Sequence, residues 1–199
     1  MPVRVCLIGL SLYFCRINIR NCSILLKYHI LIPDVQKKNK VSMDGTLKFI
    51  DLAFDDAFES VKNNLGGPFG AVIVKDGKII GRGVNQVISQ NDPTAHAEVM
   101  AIRDACNNIG HFDLTGAILY STCEPCPMCL SAIYWANIQK VYYCSTRKDA
   151  EAIGFRDKHI YEELNLPMEK RRIRFLKIDN PKGDSLFRSW MDKSDKTLY

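Results

Sequence analysis

The sequence predicts an α/β fold in three layers, with a sheet held between helices, and two observations predict it. Stretches with helical spacing of apolar side chains alternate with short β-rich runs from residue 46 onward. Two of those runs are joined by Asp76-Gly77, a dipeptide suited to the left-handed backbone of a tight hairpin. Strands separated by helices pack as a sheet covered on both faces, with the hairpin at one end.

Each element has its own reason. Leu47, Ile50, Phe54, Ala57, Phe58 and Val61 recur at helical spacing, so residues 46–63 read as a helix with one buried face. Gly66-Gly67-Pro68 stops it. Residues 69–75 (FGAVIVK) form a strand, and residues 78–84 return as its hairpin partner. A polar loop over 85–94 leads to a helix over about 95–109, whose core face would use Val99, Ile102, Ala105, Cys106 and Ile109. Residues 117–121 are a short apolar strand. Pro125 or Pro127 then falls in the first turn of a helix that runs to about Ala136, where proline is tolerated. A strand over 141–144, a helix near 149–164, a strand over 173–178 and a terminal helix over 184–191 complete the reading.

Charge limits the partners. The formal net charge of +5 alone would suit nucleic acid. Its distribution does not. Residues 1–42 hold seven Lys/Arg and one acid, Asp34, and so carry +6; the other 157 residues hold 20 basic and 21 acidic side chains and carry −1. The body of the chain lacks a basic footprint for a phosphate backbone, so a small molecule is expected rather than nucleic acid. Of eight cysteines, Cys123, Cys126 and Cys129 crowd into seven residues. Such crowding favours metal ligation over disulfides and a reducing, cytoplasmic setting.

Residues 1–42 read as an N-terminal extension outside the fold, and residues 43–199 as the functional domain. The apolar run 3–14 is followed by Arg16 and Arg20 instead of a small-residue cleavage site. The run 24–32 contains Lys27 and His29. Neither reaches the ~20 residues that span a bilayer, so no membrane partner is expected. Two readings stay open: a native start at Met43 preceded by a translated upstream stretch, or an Arg-bearing, acid-poor organelle leader.

Two strings carry the chemistry: Thr94-Ala-His96-Ala-Glu98 and Cys123-Glu-Pro125-Cys126-Pro-Met-Cys129. Each begins a predicted helix, where free N–H groups and the helix dipole bias a cysteine toward thiolate. Cys126 and Cys129 lie one turn apart and can face one ion, with His96 as third ligand from the neighbouring helix. One imidazole and two thiolates suit Zn2+, and three protein ligands leave a fourth position for water, as catalytic sites do. Glu98, two residues from His96, is placed to carry that water's proton to a leaving amine. His-x-Glu followed by Pro-Cys-x-x-Cys is the signature of zinc deaminases. The competing readings are a closed structural site that adds Cys123, an iron–sulfur site, for which a proline-flanked fourth cysteine is missing, and a histidine merely buried in the core.

These residues resemble the cytidine deaminase-like superfamily and, within it, bacterial-type guanine deaminases. The resemblance rests on GGPFGAVIVKDG (66–77), NDPTAHAEVMAIR (91–103), STCEPCPMCLSAIYWA (121–136), IGFRDKHIY (153–161) and the terminal Tyr199. The first three occur in diluted form in tRNA adenosine deaminases; the last two point toward guanine. The resemblance implies a three-layer α/β/α fold with a mixed central sheet and a CMP/dCMP-type deaminase domain. It implies zinc on His96, Cys126 and Cys129, and Glu98 as proton shuttle. Phe69 would stack on a purine and Asn85 would hydrogen-bond it. Asp157 would assist proton transfer and hold the amino group being lost. Trp135 would stand at a dimer interface near the site, and Tyr199 would close the partner's pocket, in a domain-swapped homodimer. Arg156 departs from the family, which more often has an acid there, and leaves the pocket's charge open.

The implied reaction is hydrolysis of guanine to xanthine and ammonia. Guanosine or another nucleoside is one alternative. Adenosine in tRNA is another, favoured by Lys170, Arg171, Arg172 and Arg174 and disfavoured by the body's charge of −1. A zinc-stabilised binding module without activity is the non-enzymatic alternative, and the presence of Glu98 argues against it.

Overall fold

Four strands, β1 (Gly70–Lys75), β2 (Lys78–Val84), β3 (Ile118–Cys123) and β4 (Lys140–Ser145), form one sheet in the order β2-β1-β3-β4. The computed structural model describes residues 43–198; the expectations for residues 1–42 and for Tyr199 lie outside the described residues. β1 pairs antiparallel with β2 and with β3, whereas β3 and β4 run parallel. The connections explain this mixture. β1 and β2 are joined by a two-residue hairpin with φ of 51° at Asp76 and 74° at Gly77, the left-handed pair that such a turn requires. β3 and β4 are joined through the helix α4 (Pro127–Trp135, numbered in chain order), the crossover that parallel neighbours need.

Alternation along β1 sorts its side chains between two layers. Val72 and Val74 pack with Ile50 and Ala53 of α1 (Met43–Lys62) and with Tyr120. Ala71 and Ile73 pack with Leu119, with Ala97, Ala101 and Ala105 of α3 (Ala97–Ile109), and with Ile133 of α4. The sheet is therefore covered on both faces, as the sequence predicts. Val72, Ile73 and Leu119 have no exposed surface, and burying each such side chain is worth roughly 1.5–3 kcal/mol.

The expected core face of α3 holds at Ala105, with Ile102 and Cys106 packed against the core, but it fails at Ile109 and its centre shifts to the alanines. Ala97, Ala101 and Ala105 are fully buried, whereas Ile109 is 37% exposed and Val99, Ile102 and Cys106 are half-buried. The cause lies on the strand beneath. A Cβ at Gly83 would sit 2.3 Å from the Ala101 nitrogen, and one at Gly81 would sit 2.5 Å from the Ala101 carbonyl oxygen. The helix lies so close to β2 that only small side chains fit between them. The same holds on α1, where a Cβ at Gly70 would meet the Ala53 carbonyl at 2.0 Å; Ala53, Ala57 and Ser60 are buried while Leu47 and Phe58 are exposed.

Three further differences fall in the connections and the C-terminal part. The loop after β2 contains a one-turn helix, α2 (Val87–Gln90). The helix expected over 149–164 is two helices, α5 (Arg147–Ala152) and α6 (Lys158–Leu164). Gly154 at φ 102° ends the first, a conformation that cannot continue a right-handed helix. The strand expected over 173–178 does not join the sheet: Ile173, Leu176 and Ile178 are 72%, 83% and 83% exposed. Apolar content there meets the propensity for a strand but not the need for a ladder partner. The last helix, α7 (Lys182–Asp192), is present as expected. Among the described residues no helix is long and apolar enough to cross a membrane.

Candidate metal centre and substrate cavity

Two helices start beside one another against the sheet, and each presents a metal-binding side chain at its N-cap. His96 is the N-cap of α3 and Cys126 the N-cap of α4, both with extended backbone, and Pro127 takes the first helical position of α4. Cys129 follows within the first turn. The loop before His96 is braced: the Asp92 carboxylate accepts from the Thr94 backbone N–H at 2.8 Å and its hydroxyl at 2.7 Å, and pairs with Arg103 of α3 at 3.5 Å.

The His96 Nδ1, Cys126 Sγ and Cys129 Sγ atoms form a triangle with all three sides at 3.6 Å. An ion about 2.3 Å from each sulfur and about 2.0–2.1 Å from the nitrogen, at tetrahedral angles, calls for separations of about 3.5–3.8 Å. The donors therefore fit zinc, and among the described residues they are the group that could hold a metal ion. Cys126 is drawn down to about 4 by its hydrogen bond with Cys129 and then by His96. Cys129 is pushed up by that same bond and by burial. The pair carries one negative charge readily and a second only when a cation shares the site.

Cys123 stands apart from this triangle. It is buried, its Sγ lies 3.6 Å from the Thr146 carbonyl oxygen, and burial pushes its thiol up to about 11. That placement argues against the closed four-ligand reading, since Cys123 is not among the grouped donors.

Glu98 lies in the first turn of α3 with only 6% of its surface exposed. Burial raises its pKa. The Ser121 hydroxyl donates to Glu98 Oε1 at 3.1 Å. Ser121 shares the parity of Leu119 along β3 and so faces α3; strand alternation in the sequence was the signal that could have found it.

A cavity of about 470 Å³ opens over these groups, and Phe69, Asn85, His96, Glu98, Cys126 and Asp157 all line it. Asn85 is buried and fixed by its own loop: its Oδ1 accepts from Gly67 N–H at 3.1 Å and Val87 N–H at 3.3 Å. Gly66 is required beside it, because a Cβ there would lie 2.3 Å from that oxygen. Phe69 meets Phe155 edge to face, with ring centroids 4.7 Å apart. Phe155 is a cavity residue that the sequence reading quoted within a motif without assigning it a role. Asp157 begins α6 and is half-buried, and burial raises its pKa. Arg156 also lines the cavity, as does Arg147.

Trp135 does not join this group. It ends α4, is 66% exposed and is absent from the cavity wall. Within the single chain it stands at the C-terminal end of α4, away from the cavity formed at the N-terminal end. Tyr199 is outside the described residues.

The family model for the cytidine and deoxycytidylate deaminase zinc-binding region matches residues 43–145. The chain belongs to this deaminase family. The match spans the described residues from α1 through β4 and includes all three zinc-fitting donors and Glu98. Guanine deaminase of Bacillus subtilis is 49% identical over 151 residues, 76% of this chain and 97% of that protein. Its X-ray structure superposes with a TM-score of 0.74, covering 77% of this chain and 98% of that one at 48% identity. The tRNA-specific adenosine deaminase of Buchnera aphidicola is 42% identical over 107 residues, 54% of this chain and 69% of that protein. As a member of the deaminase family, the chain is a hydrolytic enzyme whose cofactor is zinc.

Proposed function

We propose that this deaminase hydrolyses free guanine to xanthine and ammonia. The observation that carries the proposal is the reach of the likeness to guanine deaminase: 151 residues at 49% identity, against 107 residues for the tRNA-specific relative. That longer match necessarily takes in sequence beyond the zinc-binding region that ends at residue 145. A cavity of about 470 Å³ suits a small molecule, and a body with charge −1 lacks a phosphate-binding footprint.

In this reading His96, Cys126 and Cys129 hold zinc, which when bound supplies the Lewis acidity that makes water a nucleophile near neutral pH. Phe69 stacks on the base, and Asn85, its oxygen already engaged, donates from Nδ2 to an acceptor on the ring. The water oxygen bonds to the carbon bearing the amino group, and that C–N bond breaks. Glu98 takes the proton from the water and delivers it to the departing nitrogen. Its burial keeps bulk solvent away, so the proton is handed on without return to solvent. Asp157 accepts a hydrogen bond from the amino group and assists its departure.

The same proposal includes the assembly. The functional unit is residues 43–199, working as a homodimer that exchanges C-terminal segments, with Tyr199 closing the partner's cavity. Support comes from apolar surface that one chain leaves uncovered: Leu186, Phe187 and Met191 of α7 are 68%, 71% and 62% exposed, as is Trp135 at the end of α4. The free thiols of Cys126 and Cys129 suit a reducing compartment such as the cytoplasm.

Zinc-loaded protein incubated with guanine, guanosine, adenine, cytidine and a tRNA anticodon stem should release ammonia from guanine. Turnover of another of these with guanine unchanged would remove the proposal.

A further inference from the structure

The loop that carries the first cysteine is clasped from outside by the segment that carries Asp157. Glu124 donates its backbone N–H to the Ser145 carbonyl at 2.8 Å, and its Oε2 accepts from the Arg147 N–H at 3.1 Å. Pro125, next in the chain, is buried. Its carbonyl precedes the N-cap Cys126 and so lies outside the hydrogen bonds of α4; a buried carbonyl there needs a donor from elsewhere. The Tyr161 hydroxyl supplies it, donating to the Pro125 oxygen at 3.2 Å. The Arg147 guanidinium lies 4.5 Å from the centre of the Tyr161 ring, a cation–π contact that fixes the ring's plane.

Tyr161 is one turn along α6 from Asp157, so the two share a helix face. Within α6 Tyr161 and Glu163 are half-buried, and Tyr161 donates the side-chain hydrogen bond that reaches from this seven-residue helix to the metal loop. We propose that Tyr161 is a positioning residue that ties the Asp157-bearing end of α6 to the backbone beside Cys126, and so sets Asp157 against the substrate. The inference rests on the role given above to Asp157 in guanine deamination. A helix too short to be stable alone is registered to the metal loop by one phenol, and removal of the hydroxyl frees Asp157 without removing any group that touches substrate.

The test is a double-mutant cycle with zinc-loaded full-length protein: wild type, Tyr161→Phe, Asp157→Asn and the double variant, scored for kcat and KM with guanine and for zinc by chelator competition. Tyr161→Phe should lower kcat about tenfold in the presence of Asp157, as misplacement of a reacting group does, with KM and zinc affinity within about twofold. In the Asp157→Asn background the same change should lower kcat less than about twofold, because coupled residues are not additive. Equal losses in both backgrounds, or no loss in the first, would overturn the proposal. Amide hydrogen exchange of the same proteins gives an answer independent of substrate. Residues 157–161 should exchange at least about tenfold faster in Tyr161→Phe, with α1 unchanged. Unaltered exchange there overturns the tether even if guanine is turned over. Faster exchange with no guanine turnover by wild type supports the tether and sinks the guanine reading instead.

Discussion

A carboxyl with 6% of its surface exposed, partnered by the Ser121 hydroxyl and the Cys129 thiol, is an expensive thing to keep in a core. Glu98 is kept there beside three metal donors, and its replacement gives a direct check. Glu98→Gln preserves shape and the Ser121 contact but cannot carry a proton; kcat should fall by about 10²–10⁴ with zinc content unchanged. Cys126→Ala should instead lose zinc, read by metal analysis after dialysis, because two donors do not make the tetrahedral set. At this scale the sequence was most legible. The spacing of Cys126 and Cys129, and of His96 and Glu98, fixes their facing once a helix N-terminus is recognised. Phe155, Tyr161 and Ser121 were not legible in the same way. Their roles depend on which side chains the fold brings opposite them, across separations of 86 residues for Phe69 and Phe155 and 23 for Ser121 and Glu98.

At the scale of elements, the closeness of α3 to β2 decides how firmly His96 and Glu98 are held. Gly83→Ala should destabilise the zinc-loaded protein by about 1–3 kcal/mol or more, because the added methyl meets backbone that cannot rotate away; urea unfolding measures it. Leu119→Ala, a cavity change on the same side of the sheet, should cost about 2–5 kcal/mol. The loop brace adds a pH dependence. Hydrogen bonds from Thr94 hold Asp92 below the usual carboxylate range. A depressed pKa contributes stability that is present above the unfolded value and is lost as pH falls through the folded one. Asp92→Asn should therefore lower Tm slightly at neutral pH and leave the acid end of a Tm-versus-pH curve nearly unchanged. The hairpin, α4 and the strand–helix order were readable because turn residues and periodicity act locally. The buried face of α3 was only partly so: apolarity pointed to Ile102 and Ala105, which pack in or against the core, but also to the exposed Ile109, while the glycines of another strand required alanines. The extended stretch at 173–178 failed for a related reason, since strand propensity contains no information about a partner.

For the whole molecule, zinc binds the folded state far better than a chain whose donors lie 30 residues apart in sequence. At free zinc near a thousand times its dissociation constant, binding adds about 4 kcal/mol. Chelation should lower Tm by about 10 °C, recovered on adding zinc back, as a thermal melt would record. If the C-terminal segments are exchanged between subunits, deletion of residues 182–199 should yield monomers in light scattering, with the metal site intact and guanine turnover reduced. A dimer that survives the deletion would count against the exchange.

The positive φ of Gly154 divides the cavity wall by origin. On one side stand Phe69, Asn85, His96 and Glu98, rooted in strands and long helices; on the other stand Phe155 and Asp157, borne by a reversal between two short helices. Changes confined to that reversal would alter the wall met by an entering ring while the three metal donors and Glu98 stay where they are. A chain so divided has, in effect, a fixed engine and an exchangeable inlet.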